Sequence, residues 1–384
     1  MRYEYYPDID RPRRRSWMVA LPLVIFIVVA LLWSGGWYYA SSLAQNAIDG
    51  WRARETQRGR IFGCTSETIG GYPFRLAVGC ADPSAEWLRD QLPLSVKAKD
   101  LIATAQVYDP TLVITEFTGP VTVGTPGEAP AWTANWTRGR ASVRGLPASP
   151  ERISTAFDKL TLAHIDGGNA EVLALADHLE VHGRLVDGST SDNPVIETVL
   201  RLSAASAPKL HALAAEPISG EITLVVWGLK DFSPKPWPVR LREMQAAGGH
   251  IDIKQLRLEQ GETIIVSDGT LALTPNGLLD GQMRLTVVGL QRLLSGLNLD
   301  RVAAQVASQS GVDVNKVAQG LDRIMPGLGG VVRNNSGAIA AVGVGALGQP
   351  SQIDGKPAVS LPLRFSDGMA FLGPVPLGPT LPLF

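Results

Sequence analysis

Five histidines are the residues of this chain best suited to bind a metal ion or to transfer protons: His164, His178, His182, His211 and His250. His178 and His182 lie four residues apart, so they share a face of a helix and equally of a strand. With Asp166 or Asp177 they would form a metal site only if the fold brought the side chains together. We interpret the histidines as solvated strand residues, and the sequence predicts neither a metal site nor a catalytic residue.

Motifs of the common enzyme classes are missing from the sequence. The chain has no Gly-x-Ser-x-Gly elbow, Walker-type phosphate loop or His-Glu-x-x-His motif. Its 36 Asp and Glu residues show no local signature of a catalytic pair. We therefore predict a protein that is not an enzyme and uses no cofactor. An envelope hydrolase that uses scattered carboxylates, or His164, His178 and His182, is the alternative.

Composition excludes two further classes of protein. The chain has 35 Lys and Arg residues and a net charge of −1, whereas a dedicated nucleic-acid binder has a basic excess. With 45% hydrophobic and only 18% charged residues, the chain is also too apolar to be disordered. We expect a folded protein without a nucleic-acid partner.

The two cysteines, Cys64 and Cys80, are placed on either side of Gly70-Gly71. Two extended arms folded about that glycine pair would bring the cysteines opposite each other. A disulfide closing a loop of about 15 residues would stabilise the fold by about 3 kcal/mol. Two unpaired buried thiols are an alternative, whereas a redox-active pair does not suit a spacing so unlike Cys-x-x-Cys. We predict a Cys64–Cys80 disulfide, and hence a compartment that tolerates disulfides.

A membrane anchor is predicted near the N-terminus. Residues 17–40 carry no charge, and about 24 residues of helix are enough to cross a hydrocarbon core about 30 Å thick. Trp17 at one end and Trp33 and Trp37 at the other suit the two interfaces. A cleaved signal peptide that ends near residue 44 is the alternative, but its apolar core would be unusually long.

The orientation of this anchor follows from the distribution of charge. Arg13, Arg14 and Arg15 precede the apolar stretch, and no cation follows it until Arg52. The positive-inside rule then keeps the N-terminus in the cytoplasm and exports the rest of the chain. The sequence predicts a single-pass membrane protein whose bulk is periplasmic.

The exported part is predicted to be mainly β (α+β), with one elongated, curved antiparallel sheet and a few helices. Period-two patterns recur over 94–109, 153–166, 171–188, 196–206, 221–229 and 250–290. Within 250–290, turns are predicted at Gln260-Gly261, Asp268-Gly269, Asn276-Gly277 and Asp280-Gly281. Helices are predicted over 238–247 and 290–325. We divide the chain into a cytoplasmic tail (1–16), a transmembrane anchor (17–40), a juxtamembrane helix (41–60) and a β-rich domain (61–384). If that domain consists of two β units, their boundary lies near 231–238.

Several motifs resemble a bacterial family, domain of unknown function 2125 (DUF2125). They are Gly50-Trp51-Arg52, Gly70-Gly71-Tyr72-Pro73-Phe74-Arg75 between the two cysteines, and the terminal Leu363-Arg364-Phe365-x-Asp367-Gly368. The resemblance implies an alphaproteobacterial protein of the inner membrane, and it carries over no catalytic residue because the family has no assigned activity. Residues 269–290 also resemble the closing repeat of AsmA-like proteins, which are membrane-anchored periplasmic β proteins implicated in moving phospholipid or in outer-membrane assembly.

The apolar side of a long antiparallel sheet must be covered, and this requirement leads to two functional hypotheses. In the first, the sheet forms an apolar groove that binds or moves phospholipid next to the bilayer in which the protein is anchored. In the second, the core is closed, and sheet edges or a rim with Trp132 and Trp136 bind another envelope protein. Both hypotheses place the protein in envelope homeostasis.

Overall fold

The structure is a computed structural model, and it describes residues 16–89, 93–146, 148–210, 212–233, 235–290, 348–373 and 375–384. Within these ranges the chain forms two α-helices, one 3-10 helix over Ala212–Ala215 and 21 β-strands. The helices predicted over 290–325 lie, except for Leu290, outside the described residues. So do Arg13, Arg14, Arg15 and His211.

The first helix, α1, covers Ser16–Gln57 and contains Trp17, Trp33 and Trp37. From Ala20 onward it includes a window of mean hydropathy 2.1 with no buried residue, so it is long and apolar enough to cross a membrane. The predicted anchor and juxtamembrane helix are therefore one continuous helix. At about 1.5 Å per residue, its 42 residues extend about 63 Å, roughly twice the thickness of a hydrocarbon core.

The strands follow one another with short connections. The first eleven are β1 (Arg60–Gly63), β2 (Ser66–Gly70), β3 (Arg75–Ala81), β4 (Ser84–Trp87), β5 (Leu94–Lys97), β6 (Asp100–Gln106), β7 (Asp109–Thr118), β8 (Val121–Gly124), β9 (Trp132–Asn135), β10 (Arg138–Arg144) and β11 (Arg152–Asp166). The remaining ten are β12 (Asn169–Ser189), β13 (Asp192–Ala205), β14 (Ile218–Val226), β15 (His250–Gln260), β16 (Thr263–Leu273), β17 (Leu279–Val288), β18 (Gln349–Ile353), β19 (Lys356–Ser366), β20 (Met369–Leu372) and β21 (Val375–Pro379).

All 21 strands belong to one antiparallel sheet, so the predicted fold class is confirmed. From β10 to β17, each strand pairs with the next along the chain, and β19 then pairs with β17. β18 and β20 share the other edge of β19, and β21 pairs with β20. The topology is a meander, which is the arrangement that the period-two pattern with short turns predicts.

The first half of the meander is interrupted along one line. β10 pairs with the first half of β11, and β9 pairs with its second half. The earlier strands continue these two series, one of which ends at β2 and the other at β1. Hydrogen bonds connect the strands along the interruption, for example from the Asp82 N–H to the Lys99 carbonyl (2.9 Å) and from the Thr137 N–H to the Asp158 carbonyl (2.9 Å). Asp82 and Lys159 both have positive φ there. The sheet is thus continuous, but its strands are broken where they cross this line.

Two of the turns predicted within residues 250–290 are wrong. Gln260-Gly261 and Asn276-Gly277 do connect strands, whereas Asp268-Gly269 and Asp280-Gly281 lie inside β16 and β17. A Cβ on Gly269 would lie 2.3 Å from the Gln282 carbonyl oxygen, and one on Gly281 would lie 2.2 Å from that of Thr270. Both glycines therefore permit close approach of the two strands, which is the other common reason for glycine in a strand.

The second helix, α2, covers Trp237–Ala246, within one residue of the prediction. It packs against β16, and its one buried side chain is Met244. The best-buried apolar clusters lie at the β16–β20 end of the sheet. One contains Val287, Leu290, Leu361 and Leu372, and the other contains Ile264, Val288, Ile353 and Ala358.

Candidate functional site

One side of the sheet carries an unbroken series of mostly apolar residues that crosses thirteen strands. It starts in β3 and ends in β20, and each member is the direct antiparallel partner of the next. We call it the Leu76 row: Leu76, Ala105, Val113, Val143, Ile153, Gly183, Thr198, Leu224, Ile253, Gly269, Met283, Leu363 and Leu372. With strands about 4.8 Å apart, the row is about 58 Å long.

Two further rows lie beside it on the same side of the sheet. One includes Val181, Leu200, Ile222, Leu256 and Leu285. The other includes Phe157, Leu179, Leu202, Leu258, Ile265 and Val287. Successive side chains of a strand point to opposite sides of a sheet, so residues two apart in these strands share one side. We refer to the three rows together as the apolar face.

The middle of the apolar face is partly exposed. Val181, Leu200, Ile222 and Leu256 are all half-buried, in contrast to Leu361 and Val287 at the β16–β20 end. Among the described elements, the extensive contacts are those between neighbouring strands, those of α1 with β1 and β2, and those of α2 with β16. Among the described helices and strands, none forms a second layer on β12, β13 or β14, and Phe232, from the segment after β14, covers one end of β12 and β13.

The opposite side of the same strands is charged. Glu180, Arg201, Glu221 and Arg257 are consecutive cross-strand partners in β12 to β15. Arg201 contacts both acidic neighbours, at 2.9 Å to Glu221 and 3.4 Å to Glu180. The alternation of charge gives this side a stable solvated surface. The two sides of the sheet are therefore chemically different along its whole central part.

His178 and His182 lie on the charged side and do share a face. His178 contacts Asp158 at 2.6 Å and Glu180 at 2.9 Å, and His182 contacts the other oxygen of Glu180 at 3.1 Å. The hydrogen bond with Glu180, followed by the one with Asp158, raises the pKa of His178 above its ordinary value. Hydrogen bonds from His178 and then His182 lower the pKa of Glu180 to about 2. These contacts form an ionic network between strands.

The remaining candidate residues are dispersed. His164 packs on the ring of Trp132, and His250 stacks on Trp227. Asp177 pairs with Lys159 instead of a histidine. In the part of the chain that the structure describes, no group of three His, Cys, Asp or Glu side chains is arranged to hold a metal ion.

Trp132 and Trp136 have separate environments. Trp136 packs edge-on against Phe117 and Phe157, and its indole N–H donates to the Phe117 carbonyl over 2.9 Å. Trp132 lies in β9, and its side chain is 39% exposed. Trp136 is thus a packing residue, and only Trp132 remains on a rim.

The hairpin of β2 and β3 lies along α1. Near its tip, the Trp33 indole N–H donates to the Pro73 carbonyl (2.9 Å) and the Trp37 indole N–H donates to the Arg75 carbonyl (3.0 Å). The hydroxyl groups of Ser34 and Tyr72 are 2.8 Å apart. Trp33 and Trp37 lie near the C-terminal end of the predicted anchor (residues 17–40), so the hairpin tip is held beside that end of the anchor.

Further along α1, a second set of contacts secures the base of this hairpin. Arg52 forms an ion pair with Glu67 and also contacts the Cys64 sulfur at 3.4 Å. Cys64 and Cys80 are joined by a disulfide with a Cα–Cα distance of 5.4 Å, as the sequence predicts. The buried Glu55 accepts hydrogen bonds from Arg58 and Arg60.

Two apolar grooves open on the apolar face. The first, of about 440 Å³, lies between α1 on one side and the start of β3 and the turn after β6 on the other, and its lining includes Leu32, Trp33, Trp37, Leu76 and Val107. The second, of about 430 Å³, lies under Phe232 and is lined by Ile153, Gly183, Leu185 and Ile196, among others. Leu76 of the first groove and Ile153 and Gly183 of the second are members of the same row. The apolar face therefore connects the candidate membrane span with the centre of the sheet.

Sequence reasoning did not find these grooves. Their walls come from segments far apart in the chain, such as α1 with Val107, or Phe232 with Ile153. The sequence does contain one indication of the first groove, which is the set of aromatic residues Tyr72, Phe74 and Tyr108 in two turns. Large apolar side chains in tight turns suggest a contact outside the fold.

Comparison with protein families adds one match. The family model described as uncharacterized protein conserved in bacteria (DUF2125) matches residues 37–380, which is nearly the whole chain. The chain belongs to this family. Its DUF2125 match begins at Trp37, so the family region includes the contacts of Trp37 and Arg52 with the first hairpin, whereas Trp33 and Ser34 precede it. No curated protein matches the chain.

Two of the motifs that suggested DUF2125 contribute contacts between α1 and the first hairpin. Arg52, from the motif in α1, contacts Glu67 and the disulfide at the base of the hairpin. Tyr72, Pro73 and Arg75, from the motif between the cysteines, contact Ser34, Trp33 and Trp37. The motifs of this DUF2125 protein thus form the junction between the helix and the sheet.

Proposed function

We propose that this protein is a non-enzymatic envelope protein that binds phospholipid acyl chains along its apolar face. It would be anchored in a bacterial inner membrane by α1, with the N-terminus in the cytoplasm and the sheet in the periplasm. The observation that carries the proposal is the continuity of the Leu76 row from the groove beside α1 to the middle of the sheet.

The chemistry of the apolar face supports a hydrocarbon ligand. Its central residues are aliphatic and half-buried, and removing apolar surface from water is favourable by about 25 cal/mol per Å². A ligand that covers them must itself be apolar, because Leu200, Ile222 and Leu256 offer no side-chain hydrogen bond. An acyl chain satisfies this condition, and the bilayer around α1 would supply it.

The polar side of the sheet supports the same assignment. Glu180, Arg201 and Glu221 satisfy one another and need no ligand. A phospholipid headgroup could stay in water at the edge of the sheet while its chains contact the apolar face.

A pair of adjacent substitutions in β14 tests the proposal. Ile222→Asn places an amide on the apolar face, whereas Thr223→Asn places the same amide on the charged side. The full chain is extracted in detergent, and bound phospholipid is measured by native mass spectrometry. Burying an unpaired amide costs about 1–3 kcal/mol, so Ile222→Asn should reduce lipid binding about tenfold, while Thr223→Asn should bind as the unmodified protein does.

Two results would overturn the proposal. One is the absence of phospholipid from the unmodified protein. The other is that a photoreactive residue in place of Leu200 crosslinks in cells to another envelope protein, or to residues 291–347 of this chain, and never to lipid.

The proposed location is tested separately. A protease added to spheroplasts should digest the sheet and leave the N-terminal segment protected within the membrane. Complete protection of the sheet would show that the bulk of the chain faces the cytoplasm.

A further inference from the structure

We infer that the turns after β2 and β6 enter the periplasmic interface of the bilayer, and that the groove between them and α1 holds one acyl chain of a phospholipid from that bilayer. This inference rests on the proposed function and deepens it, because it assigns the place where lipid reaches the apolar face.

The position of the two turns follows from the contacts of α1. Trp33 and Trp37 hold the β2–β3 turn through the carbonyls of Pro73 and Arg75. The Val107 N–H donates to the Phe74 carbonyl over 3.0 Å, so the β6–β7 turn is joined to the first turn. Both turns are thereby fixed at the end of the candidate membrane span, where tryptophan side chains prefer to lie.

The side chains at the tips of these turns suit that interface. Phe74 is 66% exposed and Tyr108 is 80% exposed, although most large apolar side chains of a soluble surface are at least partly covered. Tyr72 is 53% exposed and retains a hydroxyl contact with Ser34. Aromatic rings with a polar edge are the residues enriched at membrane interfaces.

The lining of the groove selects a hydrocarbon. Val29, Leu32, Gly36, Ala40, Leu76 and Val107 present no polar side-chain atoms, and the indole N–H groups of Trp33 and Trp37 are already used by backbone carbonyls. A polar headgroup would find no side-chain partner in the groove, whereas an acyl chain needs none. The groove is open toward the helix face that the bilayer surrounds, since residues 20–37 of α1 are almost all exposed in the protein.

Two neighbouring glycines of α1 allow a matched test. A Cβ added at Gly35 or at Gly36 meets no atom within 4 Å, so the backbone accepts a side chain at either position. Of the two, Gly36 lines the groove and Gly35 does not. Gly36→Leu therefore places a side chain in the groove, and Gly35→Leu makes the same change in composition elsewhere on the helix.

The full chain is reconstituted into vesicles of phosphatidylethanolamine and phosphatidylglycerol that contain a trace of phosphatidylcholine with a diazirine near the end of one acyl chain. After illumination, lipid adducts are mapped by peptide mass spectrometry. Adducts are expected on Leu76 and Val107, with a yield about tenfold lower in Gly36→Leu and unchanged in Gly35→Leu.

A second measurement locates the turns in the membrane. Both native cysteines are in the disulfide, so Tyr108→Cys introduces a thiol that accepts an environment-sensitive fluorophore. Glu262→Cys, in the exposed turn between β15 and β16, is the control. Brominated phospholipids should quench the label at position 108 and leave the label at position 262 unaffected.

The outcomes separate this inference from the proposed function. Adducts on Leu200 and Ile222 without any on Leu76 or Val107 would overturn the inference and leave the proposed function intact. Equal adduct yields in Gly36→Leu and Gly35→Leu, or no quenching at position 108, would also overturn it. The absence of adducts everywhere on the sheet would contradict both.

Discussion

Arg52 of α1 forms an ion pair with Glu67 of β2, and the two side chains are shielded to 29% and 14% exposure. Gln45, two turns earlier on α1, contacts the same carboxylate group at 3.1 Å. Glu67 therefore connects two turns of the C-terminal third of α1 to the first hairpin.

Arg52→Ala should lower the free energy of unfolding by about 2 kcal/mol, because Glu67 would keep its charge in a largely shielded place without its charged partner. The measurement is chemical unfolding of the detergent-solubilised full chain, followed by circular dichroism. Arg184→Ala is the control, since its pair with Glu197 is 51% and 30% exposed, and it should cost less than about 1 kcal/mol. Similar losses in the two variants would contradict the assigned role of Arg52.

Replacing both cysteines with serine should lower the free energy of unfolding by about 3 kcal/mol, because the unfolded chain regains the freedom of a loop of about 15 residues. Thermal unfolding is measured with and without a thiol reductant. The unmodified protein should become less stable in the reductant, whereas the double variant should not respond to it. A response of the double variant would point to an effect of the reductant elsewhere.

Stability should depend on the pH through His178. Its pKa is raised above 6.5 by Glu180 and Asp158, so its contribution is present below pH 6.5 and is lost as the pH rises through the higher folded-state value. For Glu180, whose pKa is lowered from 4.5 to about 2, the contribution is present above pH 4.5 and lost as the pH falls toward 2. Both contributions therefore coexist between pH 4.5 and 6.5.

His178→Gln tests this pH dependence. The urea midpoint of the unmodified protein should fall between about pH 5.5 and about pH 8.5, and the fall should be smaller in the variant. His164→Gln, at a histidine that packs on Trp132, should retain the full pH dependence. An identical fall in all three proteins would show that His178 does not cause it.

Gly281→Ala should destabilise the sheet by about 2–3 kcal/mol, because the new Cβ would collide with the Thr270 carbonyl and the backbone has φ of 141°. Gly355→Ala, with φ of 75° but open space around it, should cost only about 1 kcal/mol. Thermal unfolding of the two variants distinguishes collision from backbone strain. If Gly281→Ala left the unfolding temperature unchanged, β16 and β17 would have to separate easily enough to admit the new Cβ.

Local patterns predict much of this fold. The uncharged run from Trp17 predicts α1, and the alternating residues of β11 to β14 predict a sheet with one apolar side. Gly70-Gly71 predicts the first hairpin and hence the disulfide. Asp268-Gly269 and Asp280-Gly281 misled the turn assignment, because glycine serves both turns and closely spaced strands, and the two uses look alike in one sequence.

The site is less predictable, because its contacts are long-range. Nothing near Leu76 indicates that it lies in the same row as Val143 and Ile153, since that alignment depends on four successive strand pairings. No sequence motif marks the positions at which the strands are interrupted. Asp82 and Lys159 have positive φ there, but the two residues have nothing in common that a sequence pattern would detect.

The meander has a consequence for the dimensions of the molecule. Every strand from β12 to β16 pairs only with its two neighbours along the chain, so a hairpin added among them would change nothing except the span of the sheet. Each extra pair of strands would extend the apolar face by about 10 Å without a change of fold. Duplication of the gene segment for a single hairpin can therefore lengthen such a sheet in equal steps.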